Sequence, residues 1–99
     1  MEKFTRQFVA GAPAPRRAMA GVVGSGDLEV LVEPANGGAT AITVNTSVNG
    51  KEPVWNAVLE RMFADAGLPA VNIEINDCGA TPGVVRMRLE QAMEEANKP

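Results

Sequence analysis

Among its 99 residues the chain has no histidine, no tyrosine, one cysteine and only two serines, Ser25 and Ser47. Without histidine, a Ser-His-Asp triad, a Cys-His pair and an imidazole metal site are all excluded within this chain. Cys78 alone can close no internal disulfide and no cysteine-rich zinc site. The aromatics are limited to Phe4, Phe8, Trp55 and Phe63, so most core volume must come from Val, Leu, Ile and Met. No apolar run approaches the ~20 residues that span a membrane. A net charge of −3, with no Arg/Lys stripe interleaved with stacking aromatics, argues against nucleic acid as a partner. The alternating, charged start Met1-Glu2-Lys3-Phe4-Thr5-Arg6 is unlike a signal peptide and points to the cytoplasm. What remains is a domain whose chemistry comes from a cofactor or from partners.

A hydrophobic share of 45% with 21% charged residues fits one ordinary folded domain over residues 1–99. The charge is unevenly placed. Residues 1–17 carry Lys3, Arg6, Arg16 and Arg17 against Glu2, and the rest of the chain is acidic. This is either an accidental bias of a solvated surface or a basic lip near an anionic ligand, with acidic faces for basic partners.

Hydrophobic periodicity divides the chain into seven elements. Lys3 to Ala10 alternates with Phe4 and Phe8 on one side, as a strand does. Gly11-Ala12-Pro13-Ala14-Pro15 interrupts it, because two prolines remove two backbone donors. Arg17 to Val23 and Leu28 to Glu33 are further strands, and Gly24-Ser25-Gly26-Asp27 between them has the composition of a hairpin turn. Asn36-Gly37-Gly38 gives a second hairpin signal and leads into the β-branched run Ala39 to Val48. The period then changes. Val54, Trp55, Val58, Leu59, Met62, Phe63 and Ala66 form a helical stripe, with Pro53 in its first turn and Gly67 as its stop. Val71, Ile73 and Ile75 alternate as a strand, Asp77-Cys78-Gly79 turns the chain, and Thr81-Pro82 starts a last helix. Its apolar face is Val85, Leu89, Ala92, Met93 and Ala96. The order β-β-β-β-α-β-α predicts an α+β fold, a mainly antiparallel sheet with two helices packed on one face.

Few residues can carry chemistry. Ser25 sits between Gly24 and Gly26 and is followed by Asp27. These are ordinary turn residues, and they are also what an attachment point needs: a protruding hydroxyl, small neighbours and an adaptable backbone. No base accompanies Ser25, so it is no autonomous nucleophile. Gly21-Val22-Val23-Gly24-Ser25-Gly26 could be a phosphate-cradling loop, but such loops open a helix and here a strand follows. Cys78 has no partner and an acidic neighbour, so it reads as a plain thiol. Glu29, Glu33, Glu74 and Glu90 could pair in space but alternate like a solvated face. Arg86 and Arg88 precede Glu90, Glu94 and Glu95 on the last helix, against the helix-dipole preference, which can mark a docking face. Trp55 belongs to the apolar stripe of its helix and reads as core.

The run Val22-Val23-Gly24-Ser25-Gly26-Asp27-Leu28-Glu29-Val30-Leu31-Val32-Glu33-Pro34, followed by Thr43-Val44-Asn45-Thr46-Ser47-Val48-Asn49-Gly50, resembles the acyl carrier (delta or C) subunits of malonate decarboxylases. The likeness extends over nearly the whole chain. The citrate lyase carrier is a more distant relative of similar role, and a cofactor-free interaction domain is the alternative from another class. The resemblance implies a non-catalytic subunit that carries a 2′-(5″-phosphoribosyl)-3′-dephospho-CoA arm through a phosphodiester on Ser25, with Gly24, Gly26 and Asp27 as flanks of the motif. It also implies a division of labour. A transferase subunit exchanges malonate for acetate on the arm's thiol, decarboxylase subunits release carbon dioxide, and a prosthetic-group transferase and a malonyl transferase mature the carrier. The physics agrees, because a thioester accepts the charge left by departing carbon dioxide, and a tether raises the local concentration of the acyl group at successive sites. The helical-bundle carriers place their serine before a helix, so their fold is not expected here. Arg16 and Arg17 are expected to approach the arm's phosphates across the hairpin.

Overall fold

A computed structural model describes all residues, 1–99. Its elements are β1 (Glu2–Val9), β2 (Ala18–Gly21), β3 (Asp27–Pro34), β4 (Ala39–Thr46), α1 (Glu52–Phe63), β5 (Val71–Cys78) and α2 (Pro82–Ala96). The strands form one sheet in the order β1-β4-β5-β3-β2. All neighbours are antiparallel except β4 and β5, which run parallel across the α1 crossover that such a pair requires. This is the expected α+β architecture.

Strand alternation sorts the residues onto two faces. Phe4, Val44, Ile75, Val30 and Ala20 lie in one row across the sheet, and Arg6, Ile42, Ile73, Val32 and Ala18 in the next. The apolar members of these rows, with Trp55, Leu59 and Phe63 of α1 and Val85, Leu89, Ala92 and Ala96 of α2, make a single core. The other face stays open. Its middle row runs Thr5, Thr43, Glu74, Leu31 and Met19, and beside it Asn76 Nδ2 donates to Glu29 Oε1 and Glu74 Oε2 at 3.0 and 3.1 Å. Glu29, Glu33 and Glu74 therefore decorate this face, while Glu90 sits on α2 beside Arg86 at 2.9 Å. The four aromatics are spent in two pairs that hold α1 to the β1 edge: Phe4 with Trp55, and Phe8 with Phe63.

Three local expectations change. Asn36-Gly37-Gly38 does turn the chain, with Gly37 and Gly38 at positive φ, but β3 and β4 do not pair. β5 lies between them. The link has to span about 10 Å, two strand spacings, which a tight two-residue turn cannot do. Ala35 N–H donates to Ala70 C=O, tying the link to the start of β5. Further on, α1 ends at Phe63 rather than at Ala66. The Asp65 side chain takes the Gly67 N–H at 2.8 Å, a local bond that competes with helix continuation, and Gly67 keeps an ordinary backbone conformation. β5 also runs on through Asp77 and Cys78 and turns only at Gly79. The Pro-rich connection 10–17 crosses the end of the sheet between its two edge strands. It is pinned by Gly11 N–H to Leu68 C=O at 2.7 Å and by Ala70 N–H to Ala12 C=O at 2.8 Å.

The one-sided core has a measurable consequence. Leu89 is fully buried, whereas Leu31 is a half-buried residue of the open face. Leu89→Ala should cost ~2–5 kcal/mol in urea unfolding, and Leu31→Ala clearly less. Equal losses would contradict the assignment of faces.

Candidate functional site

The distinctive local structure is the connection from β2 to β3. Gly21 ends β2 at φ +78°, and a Cβ there would lie 2.0 Å from the Leu28 carbonyl oxygen and 3.2 Å from the Arg88 side chain. Only glycine fits, which is why β2 stops short of Val23. Val22 and Val23 then protrude, 64% and 61% exposed. Gly24 to Asp27 is a β-turn closed by Asp27 N–H to Gly24 C=O at 2.9 Å. Positive φ at Gly26, +74°, and at no other residue of the turn identifies it as type II with Ser25 at its first central position. Gly26 N–H donates to Cys78 C=O at 2.7 Å, so the turn is fastened to the end of β5. Ser25 is exposed, and its neighbours add no bulk beyond the Val22 side chain, which would lie 3.8 Å from a Cβ on Gly24.

Asp27 faces inward from this turn. Its Oδ1 accepts Leu28 N–H at 2.8 Å and Arg88 Nε at 3.1 Å, and its Oδ2 accepts Arg88 Nη2 at 2.8 Å. The pairing is bidentate, the geometry in which arginine and carboxylate bind most strongly. The Arg88 hydrogen bonds, then the Leu28 N–H, hold the Asp27 carboxyl below its ordinary value, and Asp27 in turn raises Arg88. Asp27 is therefore a structural clamp between the turn and α2. It is not a base for Ser25.

Arg16 and Arg17 are not brought to Ser25. They precede β2, about 13 Å along that strand from Gly21 by the rise of four extended residues. Arg16 pairs with Glu95 at 3.2 Å and Arg17 with Glu33 at 3.4 Å. Cys78 is half-buried beside the turn, and it is its backbone carbonyl that the turn uses. Trp55 is buried, as expected, but also lines a groove described below. The residues that sequence reasoning missed are Gly21 and the role of Arg88. A signal for Arg88 exists: Arg86 has Glu90 four residues on, whereas Arg88 has no carboxylate at that spacing and so needs a partner elsewhere.

An exposed serine on a hydrogen-bonded turn is accessible to other proteins, the layout that a carrier domain needs. The family model of the malonate decarboxylase delta subunit (MdcD) matches residues 15–96. The malonate decarboxylase acyl carrier protein of Pseudomonas paraeruginosa is 65% identical over 97% of each chain, and that of Azotobacter vinelandii 58% over 98% of each. A chain in the crystal structure of a Pseudomonas malonate decarboxylase hetero-tetramer in complex with malonate superposes with a TM-score of 0.93. It is 53% identical, covering 97% of this chain and 99% of that one. The chain belongs to the malonate decarboxylase acyl carrier (delta subunit) family, whose role is that of a carrier rather than a catalytic subunit.

Two outcomes test the clamp. Gly21→Ala should destabilise the fold by at least about 2 kcal/mol, because it adds strain and a backbone clash together. The acid limb of the stability curve should also depend on Asp27. A carboxyl depressed by folding stabilises fully above its unfolded value, near 3.8, and loses that contribution as pH falls through the lower folded value. Asp27→Asn or Arg88→Met should therefore lower stability at neutral pH and flatten its decline below about pH 4. An unchanged acid limb would remove the clamp from the account.

Proposed function

We propose that the chain serves as the acyl carrier of a malonate decarboxylase complex, with Ser25 as the attachment site of a 2′-(5″-phosphoribosyl)-3′-dephospho-CoA arm. The observation that carries this reading is the setting of Ser25: exposed, glycine-flanked, at the tip of a turn clamped from below. The seat fits such a group, since Ser25 is exposed and a Cβ at the adjoining Gly26 would meet no atom within 4 Å. The arm, once attached, supplies a thiol on which malonyl and acetyl groups are held as thioesters while partner subunits exchange and decarboxylate them.

The residues of this chain have other tasks. Gly21 and Gly26 set the backbone path, Asp27 and Arg88 fix the turn against α2, and the exposed Val22 and Val23 border the serine where a modifying enzyme must approach. The hetero-tetramer that contains the similar chain supports operation within a multi-subunit complex. Its malonate-decarboxylating relatives favour this reading over a citrate lyase carrier. The partners in this reading are a malonate transferase subunit, decarboxylase subunits and the two maturation transferases, and the complex works in the cytoplasm. No helix is long and apolar enough to cross a membrane.

Intact mass is the direct test. Chain produced with its maturation enzymes should gain the mass of the phosphoribosyl-dephospho-CoA moiety, located on the Ser25 peptide. Ser25→Ala should gain none and should abolish turnover of the complex, while shifting stability by less than about 0.5 kcal/mol. An active complex with unmodified Ser25 would refute the assignment.

A further inference from the structure

A groove follows the seam between α1 and α2 and begins beside the Ser25 turn. Its narrower stretch, about 240 Å³, is lined by Val54, Trp55, Val58 and Val85 together with Gly79 and Lys51. It continues past Val54, Val58 and Pro82 into a wider, shallower stretch of about 490 Å³ that reaches Arg61, Met62 and Arg86. The connection to Ser25 is short. Gly26, the next residue, donates its N–H to Cys78, and a Cβ on Gly79 would lie 4.0 Å from the Gly26 nitrogen. Gly79 itself lines the groove, so Gly26 alone stands between the serine and the groove wall.

The charge of the groove is opposite to that of the chain. The chain carries 12 acidic and 9 basic residues, yet three of the bases, Lys51, Arg61 and Arg86, line the two stretches. Asp77 is the single carboxylate among the lining residues. It is saturated by Thr46 Oγ1 at 2.8 Å, Gly79 N–H at 3.2 Å and Ala80 N–H at 3.0 Å. Arg86 shares its charge with Glu90, while Lys51 and Arg61 are in no ion pair. An apolar floor with cations along its rim suits a long, partly apolar and anionic ligand.

We propose that this seam is the resting site of the arm carried by Ser25. The uncharged adenine and pantetheine parts of the arm lie against Val54, Trp55 and Val58, and its anionic groups meet Lys51, Arg61 and Arg86. The proposal rests on Ser25 being the attachment site. It goes beyond that reading because it gives the unbound carrier a docked state, from which partner subunits must draw the arm. The anionic groups can be the arm's phosphates or the free carboxylate of a malonyl load, and loading states separate the two.

The test uses the full-length chain in its unloaded, arm-bearing, acetyl-loaded and malonyl-loaded forms, each verified by intact mass. Absence of added mass on Ser25 would refute the attachment reading and is seen before any groove measurement. With loading verified, two-dimensional amide spectra should show shifts at Val54, Trp55, Val58 and Gly79 and at the Trp55 indole N–H. Shifts present already in the arm-bearing form assign the contact to the phosphates and the uncharged parts of the arm; shifts that appear only in the malonyl form assign it to the carboxylate. Either set should disappear in the variant Lys51→Gln/Arg61→Gln/Arg86→Gln, whose cations are exposed and whose spectrum without the arm reports its folding. Verified loading with shifts confined to residues 21–28 would overturn the proposal, as would groove shifts that persist undiminished in the folded triple variant.

Discussion

The carboxylate of Asp77 is the junction on which the functional end of the molecule depends. It is 7% exposed, and such a group must be satisfied by donors if it is to stay folded in. Three donors reach it from different directions: the Thr46 hydroxyl at the end of β4, and the Gly79 and Ala80 N–H groups on the way to α2. Thr46 Oγ1 in turn accepts Val48 N–H at 3.0 Å. One side chain thus fixes where β4 ends, how β5 turns and where α2 begins. The Ser25 turn hangs from the next residue, through the Cys78 carbonyl.

From that junction follows a separation between frame and load. The turn is held by its own i to i+3 bond, by the Gly26 to Cys78 bond and by the Asp27–Arg88 clamp, so its backbone has little freedom. Ser25 itself is exposed, and the one carboxylate of its turn, Asp27, is engaged by Leu28 N–H and Arg88. A carrier is useful when its attachment point is in a defined place while its cargo travels, since a tether of fixed origin gives a high effective concentration at each site within reach. Acid–base groups near Ser25 would add nothing to that task and could promote loss of a bound ester or thioester by hydrolysis.

How much of this was legible in the sequence depended on the range of the interaction. β3 and β5 were readable because Leu28, Val30, Val32 and Val71, Ile73, Ile75 each report one buried face by strict alternation. Thr81-Pro82 was readable because capping is a local event, and Thr81 Oγ1 does accept Val84 N–H. The Gly24-Ser25-Gly26-Asp27 turn was readable for the same reason. The hairpin signal of Asn36-Gly37-Gly38 does not extend to a pairing of β3 with β4, because it shows only that the chain reverses. Whether another strand enters between the arms of the reversal is decided by β5, which appears more than 30 residues later. The clamp was hidden likewise: Asp27 and Arg88 are 61 positions apart, and the clash that makes Gly21 obligatory involves the carbonyl of Leu28 and the side chain of Arg88. The N-terminal excess of basic residues was visible, but Arg16 and Arg17 are consumed by Glu95 and Glu33 at the far end of β2.

The way the two helices are seated explains why a groove exists at the better-placed end. α1 is drawn toward the β1 edge by the Phe4–Trp55 and Phe8–Phe63 pairs, while α2 lies over β2 and β3. The two helices therefore settle over opposite halves of the sheet. The small residues along their seam, Ala57 on α1 and Gly83 on α2, do little to close it. Filling the seam with larger apolar side chains would add buried area at about 25 cal/mol per Å². The chain instead leaves it lined with Lys51, Arg61 and Arg86, of which only Arg86 is in an ion pair, with Glu90 of its own helix. Helix packing alone does not account for that choice, whereas the anionic arm proposed for Ser25 would.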